Sequence, residues 1–303
     1  MKKRLTFLGM SVIILGGILL SCTPTIEGDL RMLVENTFEA AYSPRWSMDG
    51  SKLYFIQIDI PESASNPREP DTPGEIWAID VSTLEQTLIC EDTFAALDIF
   101  REEDICLPTP YIGDDWIRTV EIETWTIVDS IEVEEIYGYP RFSMESSQVI
   151  YYVYRGKGWD STYVYKADLE DDTTELILVA GQGISVTPGP GDTLFAVGDT
   201  VYNIKNGDRI PLDIDPASDA AVEWNPVNPS ELVVCEERTD KEIFLFNLET
   251  GKRSRIKSIP DQAAWVHNPV FSPDGTMIAF EAAKGGDSFY DYSIWVLEFV
   301  SEK

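Results

Sequence analysis

The chain has 303 residues, and its 23 lysines and arginines against 53 aspartates and glutamates give a formal net charge of −30. A protein this acidic repels phosphate backbones and anionic surfaces, which disfavours nucleic acid as a partner. The single histidine excludes a metal site built from several imidazoles.

Residues 1–21 are predicted to be a signal peptide and not part of the fold. Basic residues 2–4 precede an apolar run over residues 7–20, which is too short for an ordinary membrane-spanning helix. The run ends in Leu-Leu-Ser-Cys at Cys22, which resembles the bacterial lipoprotein box. That resemblance implies cleavage before Cys22, lipidation of its thiol and a net charge of −33 in the mature chain. A plain secretory signal and an uncleaved anchor are the alternatives.

Residues 22–29 would then be a lipidated N-terminus and a short tether to the membrane. No later apolar stretch is long enough to cross a bilayer. We therefore expect a bacterial cell-envelope protein that contacts the membrane through its lipid anchor only. Thr23 follows the cysteine, and in lipoproteins of bacteria with two membranes a residue other than aspartate there implies the outer membrane.

From residue 30 onward, a short apolar strand, a tight turn and a more hydrophobic strand recur six times. The copies begin about 38 to 51 residues apart, which is the period of four-stranded propeller blades. Aligned on their first aromatic or apolar residue, they start at Trp46, Leu97, Phe142, Val186, Trp224 and Phe271.

The sixth copy shows the turn chemistry most clearly, in Ser272-Pro273-Asp274-Gly275. Proline presets φ, aspartate bonds its own backbone and glycine accepts a positive φ. This turn after a phenylalanine, and the later strand Ile294-Trp295-Val296, resemble the WD-like repeat of the TolB family. The resemblance covers nearly all of the chain after residue 40 and implies an all-β, six-bladed propeller of four-stranded antiparallel blades.

The sixth copy lacks a fourth strand, whereas residues 30–35 before the first copy have strand length. We expect this N-terminal strand to complete the last blade and close the ring, since closure removes open sheet edges. Residues 30–303 are therefore predicted to form a single propeller domain.

The cysteines and loop motifs predict neither a cofactor nor a metal site. Besides Cys22, the chain has Cys90, Cys106 and Cys235, which allow one disulfide at most, and the last two lie in apolar strands that favour burial. Phosphate-binding glycine motifs and a serine nucleophile elbow are absent from the sequence. The acidic loops at 113–115 and 168–172 leave open a calcium-dependent surface, but a solvated turn is the favoured interpretation.

Function is expected at one end of the ring, where loops between second and third strands and between blades emerge together. Aromatic side chains beside glycines and charges in such loops are typical of peptide or sugar contacts. The predicted partner-binding residues are Tyr139, Arg155, Trp159, Trp265, His267, Phe289 and Tyr290.

The sequence favours a non-catalytic, lipid-anchored propeller that binds an envelope protein or polymer, as the resemblance to the TolB family implies. One alternative is an extracellular hydrolase or lyase acting on peptide or polysaccharide, with acid/base carboxylates from Asp160, Asp287 and Asp291. Another is a nutrient-capture lipoprotein with an enclosed, aromatic-lined pocket.

Overall fold

The structure is a computed structural model. Its described residues form 25 β-strands and one 3-10 turn, and they contain no helix with the length and hydropathy that crossing a bilayer requires. The described residues are 25–26, 28–35, 39–59, 74–91, 96–100, 103, 105–109, 115–133, 136–155, 161–181, 183, 185–214, 220–236, 242–256, 263–284 and 292–299.

Residues 25–180 contain two leading strands and then three groups of four. In chain order these strands are β1 (Thr25–Ile26), β2 (Gly28–Val34), β3 (Glu39–Trp46), β4 (Lys52–Asp59), β5 (Gly74–Asp80), β6 (Gln86–Cys90), β7 (Ala96–Ile99), β8 (Ile105–Thr109), β9 (Trp116–Glu121), β10 (Thr126–Glu132), β11 (Arg141–Phe142), β12 (Val149–Arg155), β13 (Thr162–Asp168) and β14 (Thr173–Ala180).

The C-terminal half contains two groups of four strands and a final group of three. These strands are β15 (Val186–Pro188), β16 (Leu194–Val197), β17 (Thr200–Asn203), β18 (Arg209–Pro211), β19 (Ala220–Trp224), β20 (Glu231–Glu236), β21 (Glu242–Asn247), β22 (Lys252–Ile256), β23 (Ala263–Phe271), β24 (Met277–Lys284) and β25 (Tyr292–Phe299).

The strands form six separate sheets, which are the blades of a six-bladed β-propeller and confirm the predicted fold. Blades 1 to 5 are the consecutive groups β3–β6, β7–β10, β11–β14, β15–β18 and β19–β22. Blade 6 has the order β2-β25-β24-β23, so the N-terminal strand closes the ring as expected. Strand β2 begins at Gly28, two residues before the predicted start.

Strand β1 was not expected from the sequence. It pairs parallel with β22 and adds a fifth strand to the outer edge of blade 5. Its register places Thr25 opposite Arg255 and Ile26 opposite Ile256. The side chain of Ile26 also packs against the hydrophobic cluster between blades 5 and 6.

Inner strands are apolar on both faces because each blade packs against two others. In β21, Phe244 and Phe246 join the cluster shared with blade 4, whereas Ile243 and Leu245 join the cluster shared with blade 6. Each of the six contacts between neighbouring blades contains one such cluster. Hydrophobic burial between blades therefore holds the ring together.

The turns between first and second strands have the predicted geometry. Gly50 and Gly275 have φ of +71° and +70°. In the sixth blade, the Ser272 hydroxyl donates to Asp274 (2.6 Å) and accepts from the Met277 backbone N–H (2.9 Å). Ser47 makes the same two contacts in the first blade, which explains why serine begins the turn.

In blades 2 and 4, the register of the first strand differs by two residues from the register that the alignment of the repeats predicts. In blade 1, the turn begins with a hydrogen bond from the Ser47 backbone N–H to the Lys52 carbonyl. The equivalent donors are the backbone N–H groups of Phe100 in blade 2 and Gly189 in blade 4. The equivalents of Trp46 are therefore Ile99 and Pro188, where the alignment had placed Leu97 and Val186. These two blades lack the Ser-Pro-Asp-Gly turn that would have marked the register.

Replacing Gly275 with alanine should destabilise the protein by about 2–3 kcal/mol, against about 1 kcal/mol for Gly251→Ala. Both glycines have positive φ, +70° and +64°, so both substitutions strain the backbone. At Gly275 the added Cβ would also lie 2.6 Å from Val227 Cγ2 and 2.8 Å from Asn225 Oδ1, whereas Gly251 has no atom within 4 Å. Urea denaturation of the two variants measures the difference, and equal losses would contradict it.

Candidate functional site

The first strand of every blade lines the axis of the ring. Contacts join β3 to β7, β7 to β11, β11 to β15, β15 to β19, β19 to β23 and β23 back to β3. We call the end of the channel where these strands finish and turn into the second strands the turn end. The opposite end, where second strands finish, is the loop end.

One layer of the channel is formed by the penultimate residue of each first strand. We call it the channel layer. The short backbone turns that follow the first strands place these six positions at the same depth, and three neighbouring blades contribute alternating charges there. In blade order the channel layer consists of Arg45, Asp98, Arg141, Thr187, Glu223 and Val270.

The charged members of the channel layer form one connected chain of ion pairs. Asp98 Oδ1 accepts from Arg45 Nε at 3.1 Å, and Asp98 Oδ2 lies 3.1 Å from Arg141 Nε. The second contact is close but not aligned as a hydrogen bond, and Asp98 Oδ2 instead accepts from the backbone N–H of Phe142 at 2.9 Å. Arg141 Nη2 donates to Glu223, so one arginine connects blades 2, 3 and 5.

Negative charges compensate the two arginines of the channel layer to different extents. Their side chains and those of the two acids are only 6–15% exposed. Burial is the largest influence on the pKa of Arg45 and lowers it, and the charge of Arg141 lowers it further. Burial also acts to lower the pKa of Arg141, but Asp98 and Glu223 outweigh it and the net direction is upward. Arg45 is therefore the arginine that an additional negative charge would stabilise.

A further buried carboxylate lies between blades 6 and 1. Glu281, on β24, is 3% exposed and accepts from the Ser43 backbone N–H and from Asn268 Nδ2 (2.8 Å). Ser43 and Asn268 occupy equivalent bulges in β3 and β23, with φ of 58° and 45°. The carboxylate thus stabilises two backbone positions that non-glycine residues seldom adopt.

A shallow pocket with a cavity volume of about 60 Å³ opens above the channel layer at the turn end. Its floor includes the four charged residues of that layer, and Phe100 packs edge-on against Phe142 in its wall at a ring-centroid distance of 5.7 Å. Met48, at its rim, is 48% exposed, so the pocket is an open depression. Its aromatic and methionine walls are formed by Trp46, Met48, Phe100, Phe142, Met144 and Phe271.

The described members of the predicted binding set lie at the loop end, away from this pocket. Tyr139 precedes β11, is 41% exposed and bridges to Ser185 through the backbone. Trp265 is half-buried on β23, where its backbone is paired with Ala283. His267 Nε2 lies 3.3 Å from the Tyr292 hydroxyl. Arg155 ends β12, with its backbone paired to Thr162.

Several predicted residues lie outside the described residues. They are the lipidation residue Cys22, the loop aromatics Trp159, Phe289 and Tyr290, and the alternative acid/base carboxylates Asp160, Asp287 and Asp291.

Sequence reasoning missed the channel layer, although a signal for it was present. In three copies a charged residue directly precedes the aromatic before the turn, as in Arg45-Trp46, Arg141-Phe142 and Glu223-Trp224. Asp98 could not be added, because the copy in blade 2 was aligned two residues out of register.

Cys90, Cys106 and Cys235 are buried, and the described part of the chain shows no cluster of three or more metal-binding side chains. Burial raises the pKa of the Cys106 thiol. Cys235 donates to the Val266 carbonyl at 2.9 Å. Both residues therefore occupy the buried positions that the sequence predicted for them.

No protein-family profile and no curated protein match the sequence. Among solved structures, a chain in the crystal structure of a mitotic checkpoint complex aligns with a TM-score of 0.52 and 13% identity, covering 92% of this chain and 91% of that chain. TolB from Acinetobacter baumannii aligns with a TM-score of 0.51 and 15% identity, covering 71% of this chain and 53% of TolB. The alignment thus spans about half the length of TolB. These similarities show a TolB-like, WD-like six-bladed propeller fold.

We expect Asp98→Asn to cost about 3–5 kcal/mol of stability, because it leaves two buried arginines to share Glu223. Asp168→Asn is the matched control. Asp168 pairs with Lys166 at 2.9 Å, but their side chains are 20% and 30% exposed, so its loss should stay below about 1 kcal/mol. Chemical denaturation monitored by tryptophan fluorescence would measure both, and similar losses would show that the channel layer is not a stabilising network.

Proposed function

We propose that this protein is a non-catalytic, lipid-anchored propeller of the bacterial cell envelope that binds a protein partner or envelope polymer. The propeller fold itself fits a protein-binding role. The observation that carries the proposal is the pocket at the turn end, where aromatic and methionine side chains surround a charged floor.

The pocket has the chemistry of a protein-recognition surface. Met48, which is 48% exposed at the rim, can adapt its shape to different apolar partners. The aromatic lining residues are only 3–7% exposed and give the pocket a rigid apolar wall. At the floor, Arg45 is bonded through Nε to Asp98 and through Nη1 to the Pro44 carbonyl (2.8 Å). Because Arg45 is the less compensated arginine, the pocket favours a partner segment that brings an apolar side chain together with a carboxylate.

The same floor argues for binding rather than catalysis. Asp98 and Glu223 are the carboxylates in the pocket, and both are held by arginine. A general acid or base needs a carboxylate free to exchange a proton with the substrate. The oxygens of Asp98 are instead occupied by the Arg45 guanidinium and the Phe142 backbone N–H.

The envelope location rests on the N-terminal sequence. A basic start, an apolar run and Leu-Leu-Ser-Cys at Cys22 are the features of a lipoprotein signal. The outer membrane is the proposed destination in an organism with two membranes, because Thr23 follows the cysteine.

A photo-reactive amino acid at Met48 should capture the partner in intact cells. Met48 lies at the pocket rim and is 48% exposed. The matched control is Ile127, which is 57% exposed on the outer strand of blade 2, away from the channel axis. Mass spectrometry of the adducts identifies the partner, and we expect adducts from position 48 and none from position 127.

A third probe at Tyr139 distinguishes the two ends of the channel. Capture at Tyr139 without capture at Met48 would place the partner at the loop end and overturn the pocket as the binding surface. Equal capture at all three positions would indicate nonspecific contact and contradict the proposal.

Cys22→Ala should abolish lipidation and move the protein from the membrane to the soluble fraction. Metabolic labelling with an alkyne fatty acid, followed by fractionation, measures both effects. Cys235→Ala is the control and should keep the label, since Cys235 is fully buried in the propeller. Label retained by Cys22→Ala would overturn the lipoprotein assignment.

A further inference from the structure

Blade 3 uses the serine of its first turn differently from blades 1 and 6. In those two blades the hydroxyl of Ser47 or Ser272 donates to an aspartate two residues later in the same turn. In blade 3 that later position is Glu145, whose backbone N–H donates to the Ser143 hydroxyl oxygen at 2.9 Å. The Ser143 hydroxyl itself donates to Asp192 Oδ2 at 2.6 Å. Because Asp192 belongs to blade 4, this serine contact crosses from one blade to the next.

Asp192 lies in the tight turn between β15 and β16. The backbone φ is 68° at Gly191 and 49° at Asp192, a conformation that aspartate adopts more readily than most side chains. Glu145 Oε1 accepts from the Gly191 backbone N–H at 2.8 Å, which makes a second link between the turns of blades 3 and 4. Met144 and Pro188, beside these two links, line the pocket at the turn end. The links therefore support one wall of that pocket.

The surroundings of Asp192 suit a neutral acid better than a carboxylate. Its Oδ1 is buried and accepts no hydrogen bond from the described residues. In the described part of the chain, no cation pairs with Asp192 or with Glu145. A charged oxygen left without a donor in a buried position costs more than the carbonyl oxygen of a neutral acid.

Burial and charge act on the pKa of Asp192 in the same direction as this geometry. Burial has the largest influence and raises the pKa, and the negative charge of Glu145 raises it further. Hydrogen bonds from the Ser143 and Tyr151 hydroxyls lower the pKa, but the net direction is upward. Tyr151 itself stays a hydroxyl donor, because burial raises its own pKa.

The titratable groups around this carboxyl group come from blade 3. Glu145 lies in the turn after β11, and Tyr151 lies in β12. After burial and the carboxyl group itself, Asp168 at the end of β13 also raises the pKa of Tyr151, and Asp168 pairs with Lys166 at 2.9 Å. Strand β16 has no titratable residue, and blade 5 meets the turn through the neutral ring of Trp224. Glu145 is therefore the charge that acts most directly on the buried acid.

We propose that Asp192 is a pH-sensitive switch that determines how firmly the turns of blades 3 and 4 are held together. With its proton, the acid places an uncharged oxygen at the buried position and is not repelled by Glu145, so the turns stay in contact. Ionisation favours movement of the carboxylate toward water, which loosens the pocket wall at Met144 and Pro188. This device goes beyond the proposed binding function, since it operates in the protein without a partner.

The contribution of Asp192 to stability should fall as pH rises, because the native state binds this proton more tightly than the unfolded chain does. It is complete below the ordinary pKa of 3.8 and is lost as pH rises through the raised pKa. Asp49 provides the matched opposite case. The backbone N–H of Ser51 and the hydroxyls of Ser51 and Ser47 hold its pKa below 3.8, so its contribution is present above 3.8 and is lost in acid.

Urea denaturation of the unsubstituted protein, Asp192→Asn and Asp49→Asn over a series of pH values tests these signs. Asp192→Asn should raise the urea midpoint at neutral pH, and the gain should disappear in acid. The ratio of unfolding constants should change by up to about tenfold for each pH unit. Asp49→Asn should instead lower the midpoint at neutral pH and have less effect in acid. A gain from Asp192→Asn that does not depend on pH, or a loss at every pH, would overturn the proposal.

Carboxyl NMR of the Asp192 side chain measures the titration directly, without relying on the folding of Asp192→Asn. Glu145→Gln should lower the titration midpoint because it removes a like charge, whereas Ser143→Ala should raise it because it removes a donor to the ionised form. A midpoint that neither substitution moves would contradict the switch.

Hydrogen exchange of the Gly191 backbone N–H measures the loosening of the turn. Its protection factor should fall above the Asp192 midpoint in the unsubstituted protein and stay constant in Asp192→Asn. Constant protection across the titration of Asp192 would overturn the proposed loosening. None of these measurements uses a partner, so their failure would leave the proposed binding function standing.

Discussion

The pairing of β2 with β25 is the constraint on which the rest of the molecule depends. It joins the second strand of the described chain to the last one, with Leu30 opposite Leu297 and Met32 opposite Trp295. Leu33 and Val34 at the end of β2 are buried in the cluster between blades 6 and 1, and Arg31 donates to the Val81 carbonyl of blade 1 at 3.0 Å. Because blade 6 is complete only with this strand, the last inter-blade cluster and the closed axis both require it.

Closure brings six first strands to one axis, and the chemistry of the molecule follows from that geometry. Side chains that are far apart in sequence become neighbours, as with Arg141 and Glu223, which are 82 residues apart. Charges at such a crowded position must compensate one another, since an isolated buried charge is costly. The pairing of Asp98 with arginines on both sides meets this requirement. The same pairing supplies the floor of the pocket.

Much of the propeller could be predicted because its signals are local. The turn at Ser272–Gly275 and the apolar strands on either side of it specify a hairpin without reference to the rest of the chain. The predicted strand register was less accurate in the blades where these local signals are weak. Leu97 and Val186 were aligned two residues too early, because blades 2 and 4 lack that turn. The candidate site was harder to predict, because in the sequence a charged residue before Trp46 or Phe142 looks like any solvent-exposed charge. Only closure of the ring places it at the axis.

The sequence by itself determined the number of blades, the turn chemistry and the N-terminal strand that closes the ring, because hydrophobic periodicity and turn residues act over a few neighbours. Only the tertiary structure decided which charges meet. It placed Arg45, Asp98, Arg141 and Glu223 in one layer, opened a pocket at the turn end and set β1 beside β22. These features depend on segments from every part of the chain converging on a common axis or edge, and local patterns in a sequence do not encode such convergence.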